Sequence, residues 1–297
     1  MRPQQLAPNK VILMKDFPLI SIVTPSLNQG SFIGEALQSV ERQSYTNWEH
    51  LVVDGMSTDG TIDLLRDLAS ERRQQKLSWV SERDSGQSDA LNKGFRRVKG
   101  DIIGWLNSDD RYRVGCFDNI VRAFEENPGV DIVYGDYLMV DELGNPYQIR
   151  REIEFSKFIL LYHRVLYIPT AATFFRRRIF DEDNWLEANL QYAMDLEFFI
   201  RLSARGYRFK HLPQLLADFR IQPNSKTCSS PDRQRREHQQ VIFAAAPILR
   251  RLKSPHLRGA VLSLLRSIAC LKRYSEKMLR GYYWEQFRST GSSLNGL

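Results

Sequence analysis

The sequence predicts an α/β protein: a mostly parallel, doubly wound sheet with helices on both faces, followed by a basic helical appendage. Three observations lead there. Short β-branched runs alternate with amphipathic helical patterns from residue 19 to about 135, the rhythm of successive βαβ units. The unusual polar residues fall where those runs end, which in an open α/β sheet is the edge that binds ligands. The excess of positive charge is confined to the end of the chain: residues 232–297 carry 13 Lys and Arg against 4 Asp and Glu, whereas the rest carries 29 against 31.

LISIVT (19–24) reads as a buried strand, being short, β-branched and closed by Pro25. SFIGEALQSVERQ follows with Ile33, Leu37 and Val40 at helical spacing, and Ser31 is its expected N-cap. HLVVD (50–54) is a second strand. TIDLLRDLASERR is a helix with Ile62, Leu65, Leu68 and Ala69 on one face, and LSWVSE is a third strand. SDALNKGFRRV is a short helix with Ser88 as its expected cap, and DIIGWLNSDD is a fourth strand running into carboxylates. A helix near 115–126 and the strand VDIVYGD repeat the pattern once more, after which the rhythm breaks. DELGN reads as a hairpin turn, residues 165–175 as a strand, and AMDLEFFIRLSARG as an amphipathic helix with Gly206 just past its end. The polar, proline-containing KTCSSPD near 226–232 is the expected domain boundary.

Composition narrows the class. A chain of 297 residues, 42% hydrophobic, can bury a sizeable core. Cys116, Cys228 and Cys270 are far apart and form no CxxC pair, so neither a disulfide framework nor a zinc site is expected, and a reducing cytosol is the natural compartment. The apolar VILM near the start is cut off by Lys15 and Asp16, unlike a signal peptide, and no apolar run approaches the ~20 residues that span a bilayer. The near-neutral 1–231 argues against a nucleic-acid groove. There is no GxxxxGK[ST], no GxGxxG after the first strand and no GxSxG, which excludes the P-loop, dinucleotide and serine-hydrolase readings. His50, His163, His211, His238 and His256 make no metal-ligand spacing, and His50 and His211, bordering strands, read as structural.

The polar strand ends carry the chemistry. In Asn107-Ser108-Asp109-Asp110 two adjacent carboxylates repel each other unless a cation lies near. Mg²⁺ or Mn²⁺ bridging one or two carboxylates to phosphate oxygens would relieve that repulsion; a solvated turn capping the next helix is the alternative. Asp54, at the end of the second strand, is placed to accept a hydrogen bond from the imide N–H of a base. Its alternative is a cap on the next helix, for which Asp59 is better placed. Trp105 reads as core rather than a sugar platform, and Arg176-Arg177-Arg178 as a solvated strand end rather than a phosphate site.

Five ordered segments now identify a resemblance: ISIVTPSLNQGSFIGEALQSVERQSY, HLVVDGMSTDGT, SERDSGQSDALNKGF, GDIIGWLNSDD and YAMDLEFFIRLSARG. Over roughly 19–226 the chain resembles the family 2 inverting glycosyltransferases of GT-A fold, of the bacterial polysaccharide type. The resemblance implies a nucleotide-binding half at about 19–110 and an acceptor half at about 111–226, with residues 1–18 an N-terminal extension and 232–297 a helical tail. It implies that Thr24, Pro25, Ser26, Asn28 and Asp54 hold the nucleotide, with Asp84 and Lys93 beside the donor and Asn107 on the ribose. It further implies a divalent metal, Mn²⁺ or Mg²⁺, at Asp109 and Asp110, and Asp195 as the general base; a helix N-cap is the local alternative for Asp195. Glu197 is off the face of the base, and acceptor contact is its implied role. The chain departs from the family where the first carboxylate of Asp-x-Asp is Asn107, where Ala90-Leu91-Asn92 lacks an arginine, where Met194 replaces a glutamate, and where Gln222 replaces a late histidine.

The implied reaction moves a sugar from a nucleotide diphosphate-sugar, UDP-linked or similar, to a hydroxyl acceptor, saccharide or lipid-linked, in cell-surface polysaccharide or glycolipid synthesis. A sugar nucleotidyltransferase is the first alternative, although TPSLNQG lacks the basic, glycine-rich loop that cradles a triphosphate. An inactive nucleotide-sugar-binding module is the second. The tail PHLRGAVLSLLRSIACLKRYSEKMLRGYYWEQFR reads as an amphipathic helix, broken at Gly281. Leu257, Val261, Leu264, Ile268, Leu271, Leu279 and Tyr282 share one face; Arg258, Arg266, Arg273, Lys277 and Arg280 share another. An anionic membrane surface is its expected partner, on the inner face of the cell membrane; the alternative is packing on the domain or a dimer.

Overall fold

The computed structural model describes residues 17–70, 76–163, 165–222 and 230–283. The N-terminal extension before residue 17, the end of the second helix, the boundary segment with Cys228, and the aromatic end of the tail after 283 lie outside the described residues. The sheet order is β3-β2-β1-β4-β8-β6-β9-β5, with β7 paired to β6. Its first half is parallel: β1 (Ile20–Ser26), β2 (Trp48–Asp54), β3 (Leu77–Ser81) and β4 (Ile102–Trp105). They alternate with α1 (Ile33–Glu41), α2 (Thr61–Ser70) and α3 (Gln87–Arg97). Continuous burial of β1 and β4 fits strands covered on both faces, which is why they read as unbroken apolar runs.

Beyond β4 the sheet is mixed. After β5 (Arg111–Tyr112) and α4 (Cys116–Glu126), β6 (Ile132–Val140) and β7 (Pro146–Arg150) form the expected hairpin, with Gly144 at φ +84° in its turn. Then come α5 (Lys157–Tyr162), β8 (Thr173–Arg176), α6 (Arg178–Asp181) and α7 (Met194–Ala204). The strand expected at 165–175 is shorter: only Thr173–Arg176 pair, after a 3₁₀ turn at Thr170–Ala172 that follows Pro169. β8 lies between β4 and β6, antiparallel to both. β9 (Phe209–Arg220) runs parallel to β6 and antiparallel to β5, so residues just past its end arrive beside the acidic segment that precedes β5.

Period-two alternation divides the core. Ile20 and Ile22 face α1 and α4 together with Phe117, Ile120 and Phe124. Val23, Val53 and Ile103 face the opposite way, onto Leu91 and Phe95 of α3 and Phe198 and Phe199 of α7. Gly94 is what lets α3 sit so close, since a Cβ there would lie 2.3 Å from Val23 Cγ1. Neither serine cap forms. Phe32 occupies the N-cap of α1 and Ser31 is exposed; Gly86 caps α3 at φ +125°, while buried Ser88 points at α7. Asp59, as expected, is the capping carboxylate before α2, accepting from Thr61 N at 3.1 Å. Cys116 and Cys270 are free thiols.

The C-terminal segment forms α8 (Pro231–Ala245), α9 (Pro247–Arg251) and α10 (Pro255–Leu279). Val241, Ile242, Ala246, Leu249, Leu262 and Ala269 enter the same apolar cluster as α3, α5 and α7. The helix expected over the tail is there, and Gly281 follows it at φ +75°. The apolar row does not form the docking face, although Val261 packs against the core. Arg273 and Lys277 turn inward onto buried Glu152, at 2.6 and 3.5 Å, and Leu257, Leu264, Ile268, Leu271 and Leu279 remain exposed.

Candidate functional site

A cavity of about 470 Å³ opens at the C-terminal ends of β1 and β4. Pro25, Ser26, Leu27 and Gln29 form one wall, Asp84, Gly86 and Gln87 a second, Asn107 to Asp110 the floor, and Phe219 to Gln222 the far side. This is the crevice where open α/β sheets take ligands. On two of the lining residues a buried oxygen has no hydrogen-bond partner, Ser26 Oγ and Gln29 Oε1. Buried polar atoms are rarely left so, and here they suit a polar ligand.

The acidic floor is a network. Asp110 is 1% exposed, and its two oxygens accept from Arg220 N and Asn107 Nδ2, each at 3.0 Å. Burial, and then the neighbouring Asp109 charge, push its carboxyl well above the usual carboxylate range. Asp109 is half-buried and also raised, chiefly by burial, against the pull of Gln222 and Arg220. Gln222 Nε2 donates to Asp109 Oδ2 at 2.6 Å, so a residue just past the end of β9 reaches the acidic motif. Arg220 is spent within the network: its side chain donates to Asp109 O, Glu142 O and Glu35 Oε2 and lies over the Phe32 ring.

Among the described residues no group of three or more His, Cys, Asp or Glu gathers as a metal cage. A divalent cation that keeps water and phosphate oxygens needs only one or two carboxylates. Two adjacent carboxylates, both held toward protonation in its absence, form a donor set that fits such an ion.

The other expected site residues divide. Pro25, Ser26, Asp84 and Asn107 line the cavity; Thr24, Asn28, Asp54, Lys93 and Asp195 do not. Thr24 is fully buried and bonds His50 Nε2 at 2.8 Å, a core contact; burial pulls the His50 pKa down to about 3, so that ring is structural. Asp54 is fully buried, with Oδ2 accepting from Ser57 N at 2.9 Å and Ser81 Oγ at 2.7 Å, and Oδ1 from Ser57 Oγ. Asn28 sits at φ +53° and accepts from Thr58 N at 2.9 Å. Asn28 ties the loop after β1 to the loop after β2, and Asp54 ties the latter to the end of β3. Lys93 is turned to Arg83 O at 2.6 Å and Asp89 at 3.2 Å. The Asn107 amide oxygen accepts from Trp105 and Gln87, so Trp105 is buried and also serves the floor.

Asp195 is not the N-cap of α7, which is Ala193; it lies in the first turn, half-buried, accepting from Leu196 N at 2.7 Å. Burial raises its carboxyl above the usual range. Glu237 adds to the rise, while His238 and the Leu196 N–H oppose it. Glu197 pairs with Arg201 at 2.7 Å. The three arginines of 176–178 bind Val130 O, Gly100 O and Asp131, so they brace the end of β8, with Arg177 and Arg178 still partly exposed.

Sequence reasoning missed Gln29, Gln87, Gln191 and Arg220. The first two stand within segments already singled out. Nothing local marks Gln191 and Arg220, which arrive through sheet pairing and helix docking.

The family described as "Glycosyl transferase family 2" matches residues 21–183. TuaG of Bacillus subtilis (strain 168), named for teichuronic acid biosynthesis, is 28% identical over 217 residues, 70% of this chain and 81% of its own length. EpsJ of the same organism, named as an uncharacterized glycosyltransferase, is 25% identical over 220 residues, of which the chain spans 63% of the length. Among solved structures, S. aureus TarS 1-349 in complex with UDP-GlcNAc has a TM-score of 0.63 at 17% identity, covering 86% of this chain and 72% of that one. The mannosyltransferase PcManGT from Pyrobaculum calidifontis, in complex with GDP-Man and Mn²⁺, has a TM-score of 0.60 at 19% identity, covering 95% and 79%. At those identities the likeness is one of fold.

Proposed function

We propose that this chain, which belongs to glycosyl transferase family 2, transfers a sugar from a nucleotide diphosphate-sugar to an acceptor hydroxyl with inversion, in the building of a cell-surface polysaccharide or glycolipid. The observation that carries the reading is the cavity at the ends of β1 and β4, which places unpartnered Ser26 Oγ and Gln29 Oε1 in the walls above a carboxylate pair. Pro25, Ser26 and Asp84 contact the nucleotide and Asn107 the ribose. Thr24, Asn28, Asp54 and Lys93 act one step back, fixing the loops that do so. Asp109, backed by Asp110 and flanked by Gln222, would hold Mn²⁺ or Mg²⁺, which when bound supplies positive charge for the departing diphosphate. Asp195 takes the proton from the acceptor hydroxyl as it attacks the anomeric carbon; burial, by raising its pKa, improves it as a base at neutral pH.

The test is a thermal-shift panel of UDP- and GDP-sugars with and without Mn²⁺, since a ligand of the folded state stabilises by mass action. One donor should raise the melting temperature only with metal. Asp195→Asn should keep that shift and lose turnover by ~10²–10⁴-fold. Normal turnover in that variant refutes the assignment of the base. Stabilisation by a nucleoside triphosphate with a sugar phosphate, and by no donor, would favour the nucleotidyltransferase alternative.

The tail belongs to the same reading. No helix among the described residues is long and apolar enough to cross a membrane. The outward row Leu257, Leu264, Ile268, Leu271 and Leu279, with exposed Arg250, Arg251, Lys253 and Lys272 nearby in the chain, suits an anionic membrane surface where a lipid-linked acceptor would be met.

A further inference from the structure

Helix α8 reaches the segment that leads into the proposed base. Glu237 Oε1 accepts from Gln191 N at 3.0 Å, and Oε2 accepts from Tyr192 N and, at 2.7 Å, from Ala193 N. Three successive backbone N–H groups thus converge on one carboxylate, a charge-assisted nest. His238 Nε2 lies 3.3 Å from Tyr192 O, so the carbonyl side of the same segment is held too. Ala193 is the N-cap of α7 and offers no side-chain oxygen. Glu237, more than forty residues away, instead takes the N–H groups of the N-cap residue and of the two residues that lead into it.

What the segment connects gives the contact meaning. Gln191 lines the cavity, its Nε2 donating to Ser85 O at 3.4 Å beside Gly86. A Cβ on Gly86 would come within 2.9 Å of Gln191 Oε1. Asp195 follows on the other side, in the first turn of α7. One carboxylate therefore holds the joint between the cavity wall and the base.

We propose that Glu237 is a positioning residue for transfer: it clamps Gln191 to Ala193 so that Asp195 and the cavity wall keep a fixed relation, which makes α8 part of the active site. This rests on Asp195 being the base. The titratable groups of α8 near Asp195 are Glu237 and His238; on its own helix, Glu197 is engaged by Arg201. The negative charge of Glu237 opposes ionisation of Asp195, whereas protonated His238 favours it. Removing the Glu237 charge therefore moves the ionisation of Asp195 to lower pH.

The test uses the full chain as wild type, Glu237→Gln, Glu237→Ala and Asp195→Asn. Amide exchange at 191–193, read in UDP and Mn²⁺, should accelerate at least tenfold in Glu237→Ala and less in Glu237→Gln, whose carbonyl still accepts. Hydrolysis of UDP-GlcNAc and GDP-mannose should lose 10- to 100-fold in kcat in Glu237→Ala with donor KM unchanged, and the acid limb of kcat should move to lower pH in both Glu237 variants. The limb reports the Glu237 charge felt by Asp195, and the loss in kcat at unchanged donor KM reports the positioning. Unchanged exchange at 191–193 overturns the clamp without recourse to any donor. Faster exchange with unchanged kcat and acid limb overturns the catalytic role. If Glu237→Ala loses kcat while Asp195→Asn turns over normally, the assignment of the base fails and the clamp stands.

Discussion

Replacing Glu152 by Gln should release α10 while leaving the rest of the fold standing. Glu152 is fully buried; both its oxygens accept from Arg273, at 2.6 and 2.8 Å, and Lys277 lies 3.5 Å away. The two cationic side chains are only 11% and 12% exposed. Burial already pulls the Lys277 pKa down, and Glu152 is the leading influence holding it up. The amide would leave two buried cations without an anion, and breaking such a pair costs about 3–5 kcal/mol. Against this, α10 buries Leu262 and Ala269 fully and Val261 and Leu265 in part, worth roughly 2–4 kcal/mol. The cost matches what holds the helix down, so the cheaper response is local undocking, which returns both cations to water. Hydrogen exchange across 255–279 should rise to near the rate of an isolated helix, and trypsin should cut there first, while the core strands stay protected. Adding Arg273→Leu should restore much of the protection. Exchange in α10 within twofold of wild type would refute the reasoning.

Three further outcomes follow from the same structure. Asp109→Ala should abolish the Mn²⁺-dependent thermal shift. In the wild type, protonation competes with the metal and the Asp109 carboxyl is raised, so that shift should fade on acidification above the pH at which an ordinary aspartate, pKa 3.8, titrates; a shift undiminished at pH 4 contradicts the assignment. Gly94→Ala should cost about 1–3 kcal/mol in urea unfolding by forcing α3 off Val23; a loss below 0.5 kcal/mol would mean the close approach is relieved without strain. Co-sedimentation with anionic vesicles should be lost in Leu264→Glu/Leu271→Glu, and equal binding of that variant and wild type would remove the outward apolar row from membrane attachment.

The sequence by itself determined the parallel half of the fold and the identity of the family. β1 to β4 and their helices are local: each strand is a short apolar run, each helix has its own period, and the polar residues at strand ends need only the sheet's direction to be brought together. Pro25, Ser26, Asp84, Asn107 and Asp109 were legible for that reason. The reading failed where a residue's role is fixed by what reaches it from far away. That Asp54 and Thr24 lie outside the cavity lining shows only once Ser57, Ser81 and His50 are seen filling their hydrogen bonds. Arg220 enters the acidic floor only because β9 pairs with β5, and Glu237 reaches the segment before α7 only because α8 docks there. The tail shows the same division most clearly. Its two faces follow from a period of 3.6, but which face turns inward depended on Glu152, a buried carboxylate more than a hundred residues away whose uncompensated charge would cost more than the exposed leucines do.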